Sequence, residues 1–362
     1  MRSGITTGTC AAAAAKAALL ACQGQTPATV DVCTPQGIIL HVPIASYSCQ
    51  ANRGQARVIK DAGDDPDITH GVEIVATVDI HDNKGVLIKA GTGVGTITKP
   101  GLSVPVGYPA INPGPHKMIT DAVLDVLPQD KGATITISIP SGEILAKRTL
   151  NPFLGVEGGL SIIGTTGIVE PMSEEGFKNS LTPQISVVKA LGYHDIVFAP
   201  GKIGQDIAIN KCMLPKEIVI QTSNFIGHML ESAAEYKMRR VLLFGHLGKL
   251  VKVAAGIFHT HNRVADARLE TLAAYMAANG APREAVQKIL NCTTTEAAMP
   301  IIKEYSMTCI YDLLAARASE RAERYVFGDL KVGTVIVTLS GEILGLDAAA
   351  REIGGSLGWN IK

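Results

Sequence analysis

The chain has 362 residues, 46% hydrophobic and 18% charged, which is enough apolar mass to bury a core in two domains or one large one and excludes disorder and coiled coil. Its 33 Lys and Arg balance 33 Asp and Glu, so no net field draws it to nucleic acid or an anionic membrane. With 37 Gly but only 4% aromatic residues, it is built for glycine turns and close backbone approach rather than for base stacking.

Ser3-Gly4-Ile5-Thr6-Thr7-Gly8-Thr9-Cys10 leads into an Ala-rich stretch, residues 11–22, which reads as a soluble helix rather than a signal peptide because Lys16 interrupts it. Hydroxyls and unpaired N–H groups at a helix start suit a carboxylate ligand; the alternative is that Thr9 merely caps the helix. Cys10 is either a nucleophile activated by the helix start or a small packed residue. Strands are predicted over 28–33, 37–43, 56–60, 72–80, 85–89 and 134–139. The turn residues Asp82-Asn83-Lys84-Gly85 and Pro140-Ser141-Gly142 predict two hairpins. This half reads as α+β with antiparallel pairing. Residues 60–71 gather Asp61, Asp64, Asp65, Asp67 and His70 in one turn. That cluster is open to three readings: a Mg²⁺ or Ca²⁺ site, a contact to a ligand or the other domain, or a solvated loop. Gly91-Thr92-Gly93-Val94-Gly95 lacks the helix that a dinucleotide fingerprint needs next. The Pro/Gly loop running on to Asn112-Pro113-Gly114-Pro115-His116 is expected to wall a substrate cleft.

From about Gly158 the pattern becomes strand, glycine turn, helix. Apolar runs at 160–163, 195–199, 217–222 and 240–244 predict a parallel sheet covered on both faces, Rossmann-like in layout. The turns at Gly164-Thr165-Thr166-Gly167, Pro200 to Gly204, Ser223 to His228 and Gly245 to Lys249 would then line one edge, where ligands bind in open parallel sheets. Gly248-Lys249 is not a P-loop, because Leu250 stands where Ser or Thr would hold Mg²⁺. His259-Thr260-His261 offers a metal pair without a third ligand. Helices are predicted over 266–279, 282–290, 294–305 and 310–325, and a late strand over 333–339 whose sheet is not readable. The seven Cys are odd in number and never CxxC, which fits neither a disulfide framework nor a zinc knuckle and makes a reducing cytoplasm the simplest home. No run of eighteen apolar residues predicts a membrane span. The fold class is thus α/β, with an N-terminal α+β domain over 1–155 and a C-terminal Rossmann-like parallel-sheet domain over 156–362.

Ser-Gly-Ile-Thr-Thr-Gly-Thr-Cys at the start, residues 60–71, Thr-Lys-Pro-Gly-Leu from Thr98, Ala-Ile-Asn-Pro from Ala110, Gly-Thr-Thr-Gly-Ile-Val from Gly164 and Gly-His-Leu-Gly-Lys-Leu-Val-Lys from Gly245 together resemble the CbiD family. The resemblance runs through nearly the whole chain in order and spacing. It implies an S-adenosyl-L-methionine-dependent enzyme that methylates C1 of cobalt-precorrin-5B, giving cobalt-precorrin-6A in the anaerobic route to cobalamin. An α+β domain joined to a Rossmann-like one is implied as well. Cobalt then arrives inside the substrate, and no protein metal site is expected. Around the carboxylates of such a tetrapyrrole the candidates are Thr6, Thr7, Thr9, Lys60, Lys99, Lys249 and Lys252. For the cofactor they are Gly164, Thr165, Gly201, Gly204, Asn224 and Gly245, with His246 as the proton-handling group. The turn at Gly164 lacks the GxGxG of Rossmann methyltransferases, and Phe198-Ala199-Pro200-Gly201 supplies no acid for a ribose, so cofactor contacts do not transfer from those enzymes. Two alternatives are a non-catalytic tetrapyrrole carrier and an enzyme using another nucleotide. No nucleic acid or membrane partner is expected; homo-oligomers and contacts with other corrin-pathway enzymes stay open.

Overall fold

Half of helix α1 (Thr7–Cys22) is alanine, and Cys10–Ala15 and Ala17–Leu19 are completely buried. A helix apolar on every side belongs inside a fold, and side chains this small let it lie directly on a sheet. In the computed structural model, which describes residues 1–359, α1 fills the core of the first of two units, Met1–Phe177 and Lys178–Lys362.

The sheet beneath α1 contains β1 (Ser46–Gln50), β2 (Arg53–Ile59), β3 (Glu73–His81), β4 (Gly85–Ala90) and β5 (Gly132–Ser138), in the order β1-β2-β3-β5-β4. All neighbours are antiparallel except β5 and β4, which run parallel. In β2, Gly54, Ala56 and Val58 are buried while Arg53, Arg57 and Ile59 are exposed, the alternation of a sheet wet on one face. The turn at 82–85 is therefore not the expected hairpin: β5 lies between the two strands it joins, with Gly132 opposite both His81 and Gly85. Nor do residues 140–142 make one, since they lead into the short helix Gly142–Ala146. A tight hairpin instead joins β1 to β2 across Ala51 and Asn52. The Pro/Gly segment at 112–116 is no loop either; Asn112 caps helix α2 (Pro113–Leu124), because Pro is well tolerated in a first turn whose N–H groups lack partners.

In the second unit β6 (Asp195–Ala199), β7 (Val219–Gln221), β8 (Arg240–His246), β9 (Lys331–Val337) and β10 (Ile343–Leu346) form one sheet in the order β7-β6-β8-β9-β10. The first four are parallel and the last is antiparallel. Ile196–Ala199 and Val241–Phe244 are buried at every position, so both faces are covered. Helices α3 (Lys202–Asn210), α4 (Ile226–Glu235), α5 (Leu247–Ala254), α6 (Ile310–Tyr325) and α7 (Ala348–Ser356) belong to this unit. The late strand joins the sheet beside β8, with Lys331 opposite Arg240.

The boundary expected after residue 155 falls instead after Phe177. Val156–Glu157 pairs with Thr96–Ile97, Gly159–Leu160 with Gly93–Val94, and Ile168–Val169 with Gly4–Ile5. Residues 160–163 are thus not the first strand of the parallel sheet. A stretch of four residues carries no periodicity, and here its partners lie in the first unit, with Leu160 opposite Val94, Ile162 opposite Ile111 and Ile163 bonded to Thr7. No helix among the described residues is long and apolar enough to cross a membrane.

Candidate functional site

The residue that caps α1 is Thr6, not Thr9: its Oγ1 accepts from the Thr9 N–H at 3.2 Å. The other hydroxyls of the segment are also committed. Thr9 Oγ1 donates to the Gly167 carbonyl at 2.6 Å, and Thr7 Oγ1 donates to the Ile163 carbonyl and accepts from its N–H. Gly164 closes this contact at φ +132°, where a Cβ would lie 2.3 Å from Thr6 Oγ1. Thr6, Thr7 and Thr9 are buried, and the side chain that this loop leaves exposed is Thr165. Gly164 and Thr165 therefore sit against the α1 N-terminus, not at the edge of the parallel sheet where the sequence put them. Cys10 is completely buried, and burial pushes its thiol up to about 12, which fits a packed residue and not a nucleophile.

Each carboxylate of the acidic turn has a partner inside the first unit. Asp61 holds the Arg2 guanidinium and the Gly63 N–H, which keep its carboxyl at about 2. Asp64 accepts from the Arg2 N–H at 2.6 Å and Asp65 from the Met172 N–H at 3.0 Å. Burial alone would raise Asp67, but Lys60 Nζ at 2.6 Å and the Thr69 hydroxyl and N–H hold it below the usual carboxylate range. Lys60, 1% exposed, is thereby an interior partner of Asp67 rather than a free anion hook. Lys99 lays its stem against Gly155 and keeps its ammonium near the surface.

In the second unit β6 leads through α3 to β7 on one side, whereas β8 leads to β9 on the other. Their carboxyl ends bracket the point where connections diverge, which is where open α/β sheets receive ligands. Here the glycines set the spacing. A Cβ on Gly204 would stand 3.2 Å from the Phe244 carbonyl and one on Gly245 would stand 3.0 Å from Pro200 Cδ, while Gly201 faces open space. Beside them the Thr222 hydroxyl, just past β7, is fully buried without a hydrogen-bond partner.

His246 ends β8 and caps α5, its Nδ1 accepting from the Gly248 N–H at 3.1 Å. The neutral ring must then carry its proton on Nε2, which lies 2.6 Å from Glu296 Oε1 but off the line of a good hydrogen bond. Burial lowers the imidazole pKa, and the Glu296 charge opposes that only in part. Lys249 reaches the Asn224 side-chain oxygen and, at 3.4 Å, the Thr260 hydroxyl; burial and the Lys252 charge lower its pKa. Completely buried Lys252 spends all three donors on the Thr260 carbonyl, Asn262 Oδ1 and the Ala265 carbonyl. It fastens the loop after α5 and has no donor left for a substrate.

Lys249 and Asn224 are thus in contact and His246 lies one helical turn before Lys249, whereas Lys252 and Lys60 are taken up by interior partners. Glu296, Thr260 and Thr222 were missed. Glu296 lies fifty positions beyond His246 in the first turn of helix Thr295–Glu304, where an acid is already accounted for by the helix dipole. His259 stacks on Phe225, with centroids 4.9 Å apart, and His261 Nδ1 accepts from the Arg263 N–H. Among the described residues no three His, Cys, Asp or Glu side chains are grouped to hold an ion.

A family model described as CbiD matches residues 1–171, and one described as CbiD, C-terminal domain, matches residues 259–348. The chain is 52% identical to the cobalt-precorrin-5B C(1)-methyltransferase of Moorella thermoacetica over 99% of both chains. It is 48% identical to the protein of that name from Desulfitobacterium hafniense, covering 98% of this chain and 92% of that one. A crystal structure of the cobalamin biosynthesis protein (cbiD) from Archaeoglobus fulgidus shares 27% identity and a TM-score of 0.39, covering 74% of this chain and 84% of that one. Matched end to end at more than half identity, the chain belongs to the CbiD family.

Proposed function

We propose that the chain is an S-adenosylmethionine-dependent C-methyltransferase that converts cobalt-precorrin-5B to cobalt-precorrin-6A by methylating C1. The observation that carries this reading is the 52% identity, end to end, with a relative named for that reaction. We read the second unit as a Rossmann-like, doubly wound domain, which its strand order supports, and place the cofactor at the carboxyl ends of β6 and β8. The open face of Gly201 and the orphan hydroxyl of Thr222 fit an extended polar ligand there.

The cofactor supplies a methyl group on a sulfonium. Bound at the carboxyl ends of β6 and β8, it would offer that methyl to C1, the ring's own π electrons making the new bond while the S–CH₃ pair stays with sulfur. No oxyanion develops, so holding the two carbons in line is the chain's main task, and such positioning removes about 7–11 kcal/mol from a barrier. His246 keeps its ring neutral and its Nε2 proton beside Glu296, so no imidazolium is set beside the cationic donor. Lys249, positioned by Asn224, is the anchor for a substrate carboxylate. Thr165, exposed, and Lys99, half-buried, are the accessible candidates of the first unit, while Thr6, Thr7 and Thr9 act by holding the loop that presents Thr165.

Anaerobic incubation with cobalt-precorrin-5B and methyl-labelled S-adenosylmethionine tests the reading by mass spectrometry and carbon NMR. One labelled methyl at C1 is the expected product. Tight tetrapyrrole binding with no label transferred would replace the enzyme with a carrier.

A further inference from the structure

We propose that Cys22 and Cys49 are a dithiol that closes reversibly to a disulfide on meeting a small-molecule disulfide oxidant. Their sulfurs lie 3.2 Å apart, across twenty-seven positions of sequence. Cys22 is the last residue of α1 and Cys49 lies on the edge strand β1, so two regular elements fix both backbones. Gly54 makes the approach feasible. It is the residue opposite Cys49 in the β1–β2 register, and a Cβ there would come within 2.7 Å of Cys22 Sγ and 2.0 Å of the Ala18 carbonyl. The missing side chain leaves the space in which the two sulfurs meet. A disulfide needs them only about 1 Å closer, within reach of small side-chain rotations.

The two thiols have different roles. Cys49 is exposed and attacks, whereas Cys22 is half-buried and is pushed up to about 12 by burial and by its hydrogen bond and charge interaction with Cys49. The Cys49 thiolate attacks one sulfur of RSSR, forming a mixed disulfide and releasing RS⁻. Capping Cys49 removes its charge and its hydrogen bond to Cys22 while burial, the larger cause, stays, so the released RS⁻ serves as the base for the Cys22 proton. Cys22 then loses that proton, attacks Cys49 Sγ and displaces the second RS⁻. Overall the two thiols lose two protons and two electrons, and RSSR becomes two RSH. Closure ties the C-terminal end of α1 to the sheet edge.

The full-length reduced protein is treated anaerobically with oxidised glutathione and mapped by non-reducing peptide mass spectrometry. The exposed thiols of Cys33 and Cys309 report that the oxidant has acted. The expected result is a Cys22–Cys49 cross-linked peptide that dithiothreitol reopens, with a higher Tm while closed. Cys22→Ser should stop at a glutathione adduct on Cys49 and keep methyl transfer unchanged. A stable glutathione adduct on Cys49 of the unaltered chain would overturn the proposal, as would free Cys22 and Cys49 thiols once Cys33 and Cys309 are modified.

Discussion

Replacing Lys252 with Met keeps the aliphatic stem and volume but removes an ammonium that serves three acceptors in the 260–265 loop. Each hydrogen bond from a charged donor contributes about 1.5–3 kcal/mol, and the substitution strands the Thr260 carbonyl, Asn262 Oδ1 and the Ala265 carbonyl together. Against that loss, taking a charge out of the interior returns several kcal/mol. The balance is a destabilisation of about 3 kcal/mol, because the neutral acceptors remain where they were. For a unit of this size that lowers Tm by about 6–12 °C. Lys249→Met is the matched control: that ammonium meets only the Asn224 and Thr260 side chains, and its loss should cost no more than about 1 kcal/mol while raising KM for the tetrapyrrole. Calorimetry, hydrogen exchange of residues 258–266 and methyl-transfer kinetics read the two variants apart. A Lys252→Met protein melting within 2 °C of the parent, with unchanged exchange in that loop, would refute the reasoning, since the three bonds would then be worth no more than the burial they require.

Glu296→Gln keeps the shape but removes the charge facing His246, and methyl transfer should fall about tenfold with an altered pH profile; an unchanged profile removes Glu296 from the site. Nitrogen NMR should find His246 neutral and protonated on Nε2 at pH 7. Its folded pKa lies below the ordinary 6.5, so the stability owed to the neutral ring is full above 6.5 and declines as pH falls through the folded value. Gly245→Val forces a branched side chain onto Pro200, and calorimetric titration should show loss of S-adenosylmethionine binding at a stability cost of about 1–3 kcal/mol; retained affinity would move the cofactor elsewhere. Arg2→Ala frees Asp61, whose carboxyl is held at about 2 against an ordinary 3.8. The pair's contribution is present above 3.8 and lost as pH falls toward 2, so Tm measured across that window should flatten in the variant. Both side chains are well exposed, and added salt should shrink the effect.

The sequence showed where strands lie more clearly than which strands meet. Residues 195–199 and 240–244 were legible because a strand covered on both faces must be apolar throughout. Nothing in residues 85–90 names residues 132–138 as their partner, since the pairing is non-local and each strand satisfies its own alternation alone. The Gly164 turn was misplaced for a related reason: a short apolar run before glycine fits any sheet that has an edge to offer. Lys252 occupies an apolar helix face, and a lysine there reads equally as one that snorkels to solvent or as one whose charge is satisfied inside. His246, Lys249 and Asn224 could be singled out because strand-end turns converge by topology, whereas Glu296 comes beside His246 only through the packing of a distant helix.

The placement of β5 between β3 and β4 has a consequence for the chain as it is made. Until Gly132–Ser138 is available, β3 and β4 lack the strand that each pairs with in the finished sheet, and the short turn between them leaves direct hairpin pairing as the competing arrangement. Each then shows a bare edge of N–H and C=O groups, and residues 74–78, which the finished fold buries almost completely, have no partner on that side. The sheet is completed only when Gly132–Ser138 leaves the ribosome and slides in with opposite polarity toward its two neighbours. A ribosome stalled before that segment has cleared it therefore holds an incomplete sheet whose open edges can join another chain.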